Sequence, residues 1–146
     1  NNVGPYLAGI LVQRRSGCDL VSYLTPRLFS KLGIKRPTWE TDPLGNSFGA
    51  GGLFLTLSEL HKIGLFYLNK GKWNGKQILS EKWIAESTKA ADVGHYGYLF
   101  WRGEYDSSRA DGKYSQISMI LPKKNAVVSF VFFSAENPSP LSILLS

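Results

Sequence analysis

The segment 126–133, Ala-Val-Val-Ser-Phe-Val-Phe-Phe, restricts the fold more than any other stretch of the chain. Side chains alternate along a strand, so it sets Val128, Phe130 and Phe132 on one face and Val127, Val131 and Phe133 on the other. Both faces are apolar. The segment therefore reads as an interior strand that needs cover on both sides. Residues 114–121 supply a second strand, joined to it by a turn through Pro122, Lys123, Lys124 and Asn125. Residues 96–102 are aromatic and strand-like, and residues 138–146 read as the start of a final helix.

The first two thirds follow a helical period. Residues 6–15 carry Leu7, Ile10 and Leu11 on one face, with Gly17 as a stop. Leu20, Val21, Leu24, Leu28 and Leu32 recur at spacings of three and four up to Gly33, with Pro26 as an internal kink or break. Residues 36–52 hold little periodicity and read as an ordered loop. Ser58 is the expected cap of a helix over 59–69, with Leu60, Ile63, Phe66 and Tyr67 as its apolar face and His61 outside. Asn74-Gly75 signals a two-residue hairpin. Ser80 caps a further helix that starts with Glu81 and is anchored by Trp83 and Ile84. Helices first and antiparallel strands last make an α+β arrangement.

Composition excludes several classes of function. No apolar run approaches the roughly 18 residues that cross a bilayer. The net charge is +6, but the basic residues occur as dispersed pairs such as Arg14-Arg15, Lys35-Arg36 and Lys123-Lys124, the pattern of a solvated face and not of a nucleic-acid surface. Cys18 is the single cysteine, so no internal disulfide can form. His61 and His95 are too few and too separated for a metal site, and no cofactor is implied. Glu104 and Asp106 would share one face of a strand, as paired glycosidase carboxylates do, although a solvated loop is the simpler reading. Gly45-Asn-Ser-Phe-Gly49 matches a nucleophile elbow in form, and Asp92 and His95 follow in triad order. Its flanks do not read as strand and helix, so Ser47 is expected to be a loop residue.

Several ordered stretches resemble the penicillin-recognising serine hydrolases, the group of class C β-lactamases, penicillin-binding proteins and related esterases. They are Tyr-Leu-Thr-Pro-Arg-Leu-Phe-Ser-Lys-Leu-Gly at 23–33, Ser-Phe-Gly-Ala-Gly-Gly-Leu at 47–53 and Leu-Ser-Glu-Leu-His-Lys-Ile-Gly at 57–64. Residues 67–79 with Trp83, Tyr96-Gly-Tyr98 with Trp101, and Ala-Asp-Gly-Lys-Tyr-Ser-Gln at 110–116 continue the series. The resemblance implies a β-lactamase/transpeptidase-like fold, present in part. It also implies acyl transfer to a serine in a Ser-x-x-Lys turn, on a small-molecule amide or ester. No serine of the chain has a lysine three residues later. Residues 1–146 are thus expected to be the C-terminal portion of one domain, with a nucleophile segment roughly a hundred residues upstream. The start, Asn-Asn-Val-Gly-Pro, lacks a Met and agrees with that expectation.

By the same resemblance, Asn2 falls where the asparagine of a Tyr-x-Asn motif stands, and the Lys113 backbone N–H would be an oxyanion donor. Gly112 fits the glycine of the Lys/His-Thr-Gly motif, whose first two positions here are Ala110 and Asp111. The cation that would meet a substrate carboxylate is missing from the motif, and Arg109 or Lys113 stands as a substitute. This departure tilts the reading towards esterase or amidase members. Tyr98 and Trp101 would line the substrate pocket, although aromatics at this density also serve as ordinary core. Family members are often extracytoplasmic; the compartment of this chain does not follow. The other reading is a non-catalytic binding module on the same scaffold. Missing strands would leave an edge open to self-association or to docking of an upstream part.

Overall fold

The computed structural model describes residues 2–91, 95–113 and 115–131. The chain divides into two compact units, Asn1–Glu59 and Leu60–Ser146.

The first unit opens with α1, Val3–Ser16, which ends on a left-handed Gly17. Asp19 caps α2, Leu20–Leu24, by accepting a hydrogen bond from the Ser22 N–H at 2.9 Å. The helical run does not stop at Pro26. It loosens into a π turn over Thr25–Phe29 and resumes as α3, Ser30–Leu32, closed by a left-handed Gly33. A π turn accommodates a proline whose missing N–H would leave a carbonyl without its usual partner. Leu20, Phe29, Leu32 and Ile34 form the buried core. The glycine-rich loop is more ordered than expected: β1, Thr38–Trp39, pairs antiparallel with β2, Leu53–Phe54. Gly49 lies so close to α1 that a Cβ there would come within 2.8 Å of the Pro5 carbonyl oxygen. The Gln13 side chain holds this loop from the same helix. Its amide donates to the Gly9 and Ser47 carbonyls at 3.1 Å each and accepts from the Ser47 N–H at 2.7 Å.

The division between the units falls inside α4, Leu57–Leu68. Its cap is Thr56 and not the expected Ser58. The Glu59 N–H donates to the Thr56 hydroxyl at 3.2 Å, and the Glu59 carboxylate accepts from the Thr56 N–H at 2.9 Å. This is the reciprocal capping box, and it starts the helix two residues early.

In the second unit, β3, Lys72–Trp73, and β4, Lys76–Gln77, form the hairpin signalled by Asn74-Gly75, both with positive φ. The Ser80 hydroxyl caps α5, Glu81–Thr88, accepting from the Trp83 N–H at 3.1 Å. Ile84 is buried as expected, whereas Trp83 is half exposed. Then come β5, Trp101–Arg102; β6, Ser108–Asp111; β7, Gln116–Leu121; and β8, Ala126–Val131. They make an antiparallel sheet in the order β5-β6-β7-β8.

Two expectations are corrected here, and one alternative is decided. Residues 96–102 do not form one strand: a turn with Leu99 at φ 67° folds Tyr96 back onto Trp101. Glu104 and Asp106 sit on a short exposed 3-10 turn with Tyr105 and Asp106 at positive φ, which is the simpler loop reading and not the strand face of a carboxylate pair. Among the described residues β8 stands at the end of the sheet order and not inside it. Phe132, Phe133 and the expected final helix lie outside the described residues.

His61 is also corrected. It faces the sheet: its Nδ1 is 3.1 Å from the Ser129 hydroxyl, which is 2.9 Å from the hydroxyl of buried Ser118. Gly64, three residues on and so on the same side of α4, lets the helix approach this polar seam.

Candidate active site

In the second unit the sheet brings one constellation together. Trp101 on β5 is the direct partner of Arg109 on β6. The Arg109 guanidinium carbon lies 5.9 Å from the centre of the Trp101 ring, a cation–π distance. Asp111 is two residues further along β6, so it shares that face. Its Oδ2 accepts from Arg109 Nε at 3.0 Å. Trp101 also meets Tyr96 edge-on, with ring centres 4.7 Å apart. The result is a half-exposed apolar plate flanked by a cation whose charge is met by a carboxylate.

Ala110 alternates to the other face, where it pairs with Ser118. The two positions that replace the Lys/His-Thr motif therefore point to opposite sides of the sheet. The positive charge on the Asp111 side comes from Arg109, and it is engaged. Gly112 and Lys113 lie in the turn between β6 and β7. That turn closes by hydrogen bonds from the Gly112 N–H to the Gln116 carbonyl at 2.9 Å and from the Ser115 N–H to the Gly112 carbonyl at 3.1 Å. A Cβ on Gly112 would meet the Gln116 Oε1 at 2.7 Å.

Tyr98 lies in the turn between Tyr96 and Trp101. It packs on Trp83 of α5, with ring centres 5.9 Å apart, and its N–H donates to the Ser87 carbonyl at 3.1 Å. Asn2 belongs to the first unit, at the start of α1, where its side chain makes no capping hydrogen bond. Nearby in that unit, Asp42 accepts hydrogen bonds from the Tyr6 hydroxyl at 2.6 Å and from the Asn46 amide at 2.9 Å, which hold its carboxyl down to about 2.

The elbow reading of Ser47 does not survive. Ser47 is only 2% exposed, and its hydroxyl accepts from the Leu20 N–H at 3.2 Å. It sits at an isolated bridge with Thr41, without the strand-to-helix turn that an elbow needs. Asp92, the acid of that triad, lies outside the described residues. Among the described residues no group of three or more His, Cys, Asp or Glu side chains could hold a metal ion, and no helix is long and apolar enough to cross a membrane.

Comparison with solved structures gives this architecture a context. A protein from Bacillus anthracis, provisionally named a 6-aminohexanoate-dimer hydrolase, superposes with a TM-score of 0.72 at 23% identity over 84% of this chain. The chain has a β-lactamase-like fold. A protein from Bacteroides dorei, provisionally named a β-lactamase, overlays with a TM-score of 0.67 at 15% identity over 89% of the chain. The match spans 35% of the first solved protein and 49% of the second, so the β-lactamase-like fold is present in part. No protein-family model matches the chain.

The Trp101–Arg109–Asp111 constellation was only half legible in the sequence. Its signal was the i, i+2 spacing of Arg109 and Asp111. That spacing acquires meaning only once 108–111 is known to be a strand.

Proposed function

We propose that the chain is the C-terminal portion of a serine hydrolase that cleaves amide or ester bonds through an acyl-enzyme. The observation that carries this reading is the β-lactamase-like fold shared with two hydrolase-named proteins over less than half of their lengths. A Ser-x-x-Lys segment outside residues 1–146 supplies the nucleophile in this reading. Within the chain, Asn2 is its Tyr-x-Asn asparagine, and Gly112 with the Lys113 backbone N–H forms the oxyanion side. Trp101 and Tyr98 contact the acyl part of a small substrate. The self-paired Arg109 and Asp111 favour substrates without a carboxylate at that position, as in an ester or a neutral amide.

The test is to express the protein from its complete gene and treat it with nitrophenyl esters, a chromogenic cephalosporin, short ω-aminoacyl amides and a fluorophosphonate. The expected result is saturable hydrolysis of an ester or amide, with a labelled serine mapping outside residues 1–146. The isolated chain turns over none of these above background. Labelling of Ser47, or activity of the isolated chain abolished by Ser47→Ala, overturns the proposal. Tight substrate-analogue binding by the complete protein without turnover favours the non-catalytic module.

A further inference from the structure

The second unit carries a cavity of about 430 Å³ between α4, α5 and the sheet. That volume is within the range of small-molecule sites, about 300–1,000 Å³. The sheet residues that line it are Arg102, Ser108 and Ile120, which are register partners of one another. Trp101 and Arg109 alternate to the other face, so the cavity is separate from the candidate active site.

Its walls combine two chemistries. Leu68, Ile84 and Ile120 give an apolar interior. Lys70, Lys82 and Arg102 give three cations against one acid, Glu81. Glu81 is already matched by Lys72 at 3.1 Å, and Arg102 reaches Asp106 at 3.7 Å. Lys70 adds to the field of Lys72 in holding the Glu81 carboxyl below its ordinary value, and among the described residues neither Lys70 nor Lys82 makes a close ion pair. The lining thus carries more positive than negative charge beside an apolar wall, and the complementary ligand is an apolar chain ending in an anion.

We propose that this cavity binds a small amphiphilic carboxylate. Its chain lies against Leu68, Ile84 and Ile120, and its carboxylate sits between Lys70 and Lys82. The experiment is a titration of the protein expressed from its complete gene, labelled at Ile and Leu methyl groups, with octanoate, and in parallel with octanol and acetate. Octanoate is expected to shift the Ile84 and Ile120 methyl signals saturably. Octanol binds about tenfold more weakly or less, and acetate leaves both signals unmoved. The double variant Lys70→Glu, Lys82→Glu lowers octanoate affinity about tenfold or more. Lys70→Gln with Lys82→Gln serves if the charge reversal perturbs folding. Ala85→Trp, which fills the mouth from α5, removes binding. Equal affinity for octanol, undiminished binding by both lysine variants, or no saturable shift at Ile84 and Ile120 overturns the proposal.

Discussion

Gly64→Ala tests how closely α4 approaches the sheet of the second unit. A Cβ at this position would lie 2.5 Å from the Ser118 hydroxyl oxygen and 2.6 Å from Val127 Cγ1. Neither neighbour yields freely. The Ser118 hydroxyl is tied to Ser129 and through it to His61, and Val127 is β-branched and paired with Ile120 in the ladder. Overpacking of this kind costs about 1–3 kcal/mol. Replacing glycine by alanine inside a helix returns about 1 kcal/mol. The steric effect wins, and the net loss is about 1 kcal/mol, or about 4–8 °C in the midpoint for a unit of this size. Urea unfolding followed by tryptophan fluorescence reads it, since Trp73, Trp83 and Trp101 all lie in this unit. Val127→Ala removes the Cγ1 obstacle, so Gly64→Ala should cost about 1 kcal/mol less in that background. A rise in stability on Gly64→Ala alone, or strict additivity of the two changes, would refute the close approach and with it the role of glycine at this crossing.

Tyr6→Phe removes the first cause of the low Asp42 titration. The folded-state value is depressed from 3.8 to about 2, so the carboxylate contributes stability above about 3.8, and that stability is lost as pH falls through about 2. The variant should raise the Asp42 midpoint in a carboxyl NMR titration and shift acid unfolding of the first unit to higher pH; an unmoved midpoint contradicts the assignment. In a form of the protein carrying a Ser-x-x-Lys segment, Gly112→Val should reduce turnover far more than thermal stability, because the new side chain meets only the flexible end of Gln116 within 3 Å. Equal losses would make Gly112 a structural turn. The isolated chain should self-associate at micromolar concentration, since β8 ends the described sheet with Val128 and Val131 over 40% exposed. A monomer in light scattering with one cooperative unfolding transition removes the argument for a missing strand partner.

The helices were legible because their determinants are local. Ser80, Gly17 and Gly33 lie next to the turns that they start or stop, and the spacing of Leu20 and Leu32 names buried positions, whereas on α1 Leu7 and Leu11 are exposed and Gly9 and Gln13 are buried. Thr56 was missed in favour of Ser58 because either residue could cap, and only the Glu59 carboxylate bonding back to Thr56 decides between them. The failures are where the backbone takes conformations that side-chain type does not advertise. Leu99 has positive φ without being glycine, and it turns the apparent strand over 96–102 into a turn. The face of His61 was misread because a glycine three residues away, and not an apolar residue, marks the side of α4 nearest the sheet. The candidate site was legible as a set of residue types. Its geometry was not, because Trp101 and Arg109 meet only through a strand pairing that neither residue encodes alone.

One consequence of the first unit's architecture lies in Gln13. A carboxamide has the same donor and acceptor as a peptide unit, and this one engages both the N–H and the C=O of Ser47. It acts as a grafted peptide group, giving residue 47 the two-bond partner that a neighbouring strand would provide. A loop can in this way be locked onto a helix without any sheet to receive it. The lock is chemically narrow: Gln13→Glu keeps the acceptor but faces the Ser47 and Gly9 carbonyls with a second oxygen, and Gln13→Leu takes the partner from both the N–H and the C=O of Ser47.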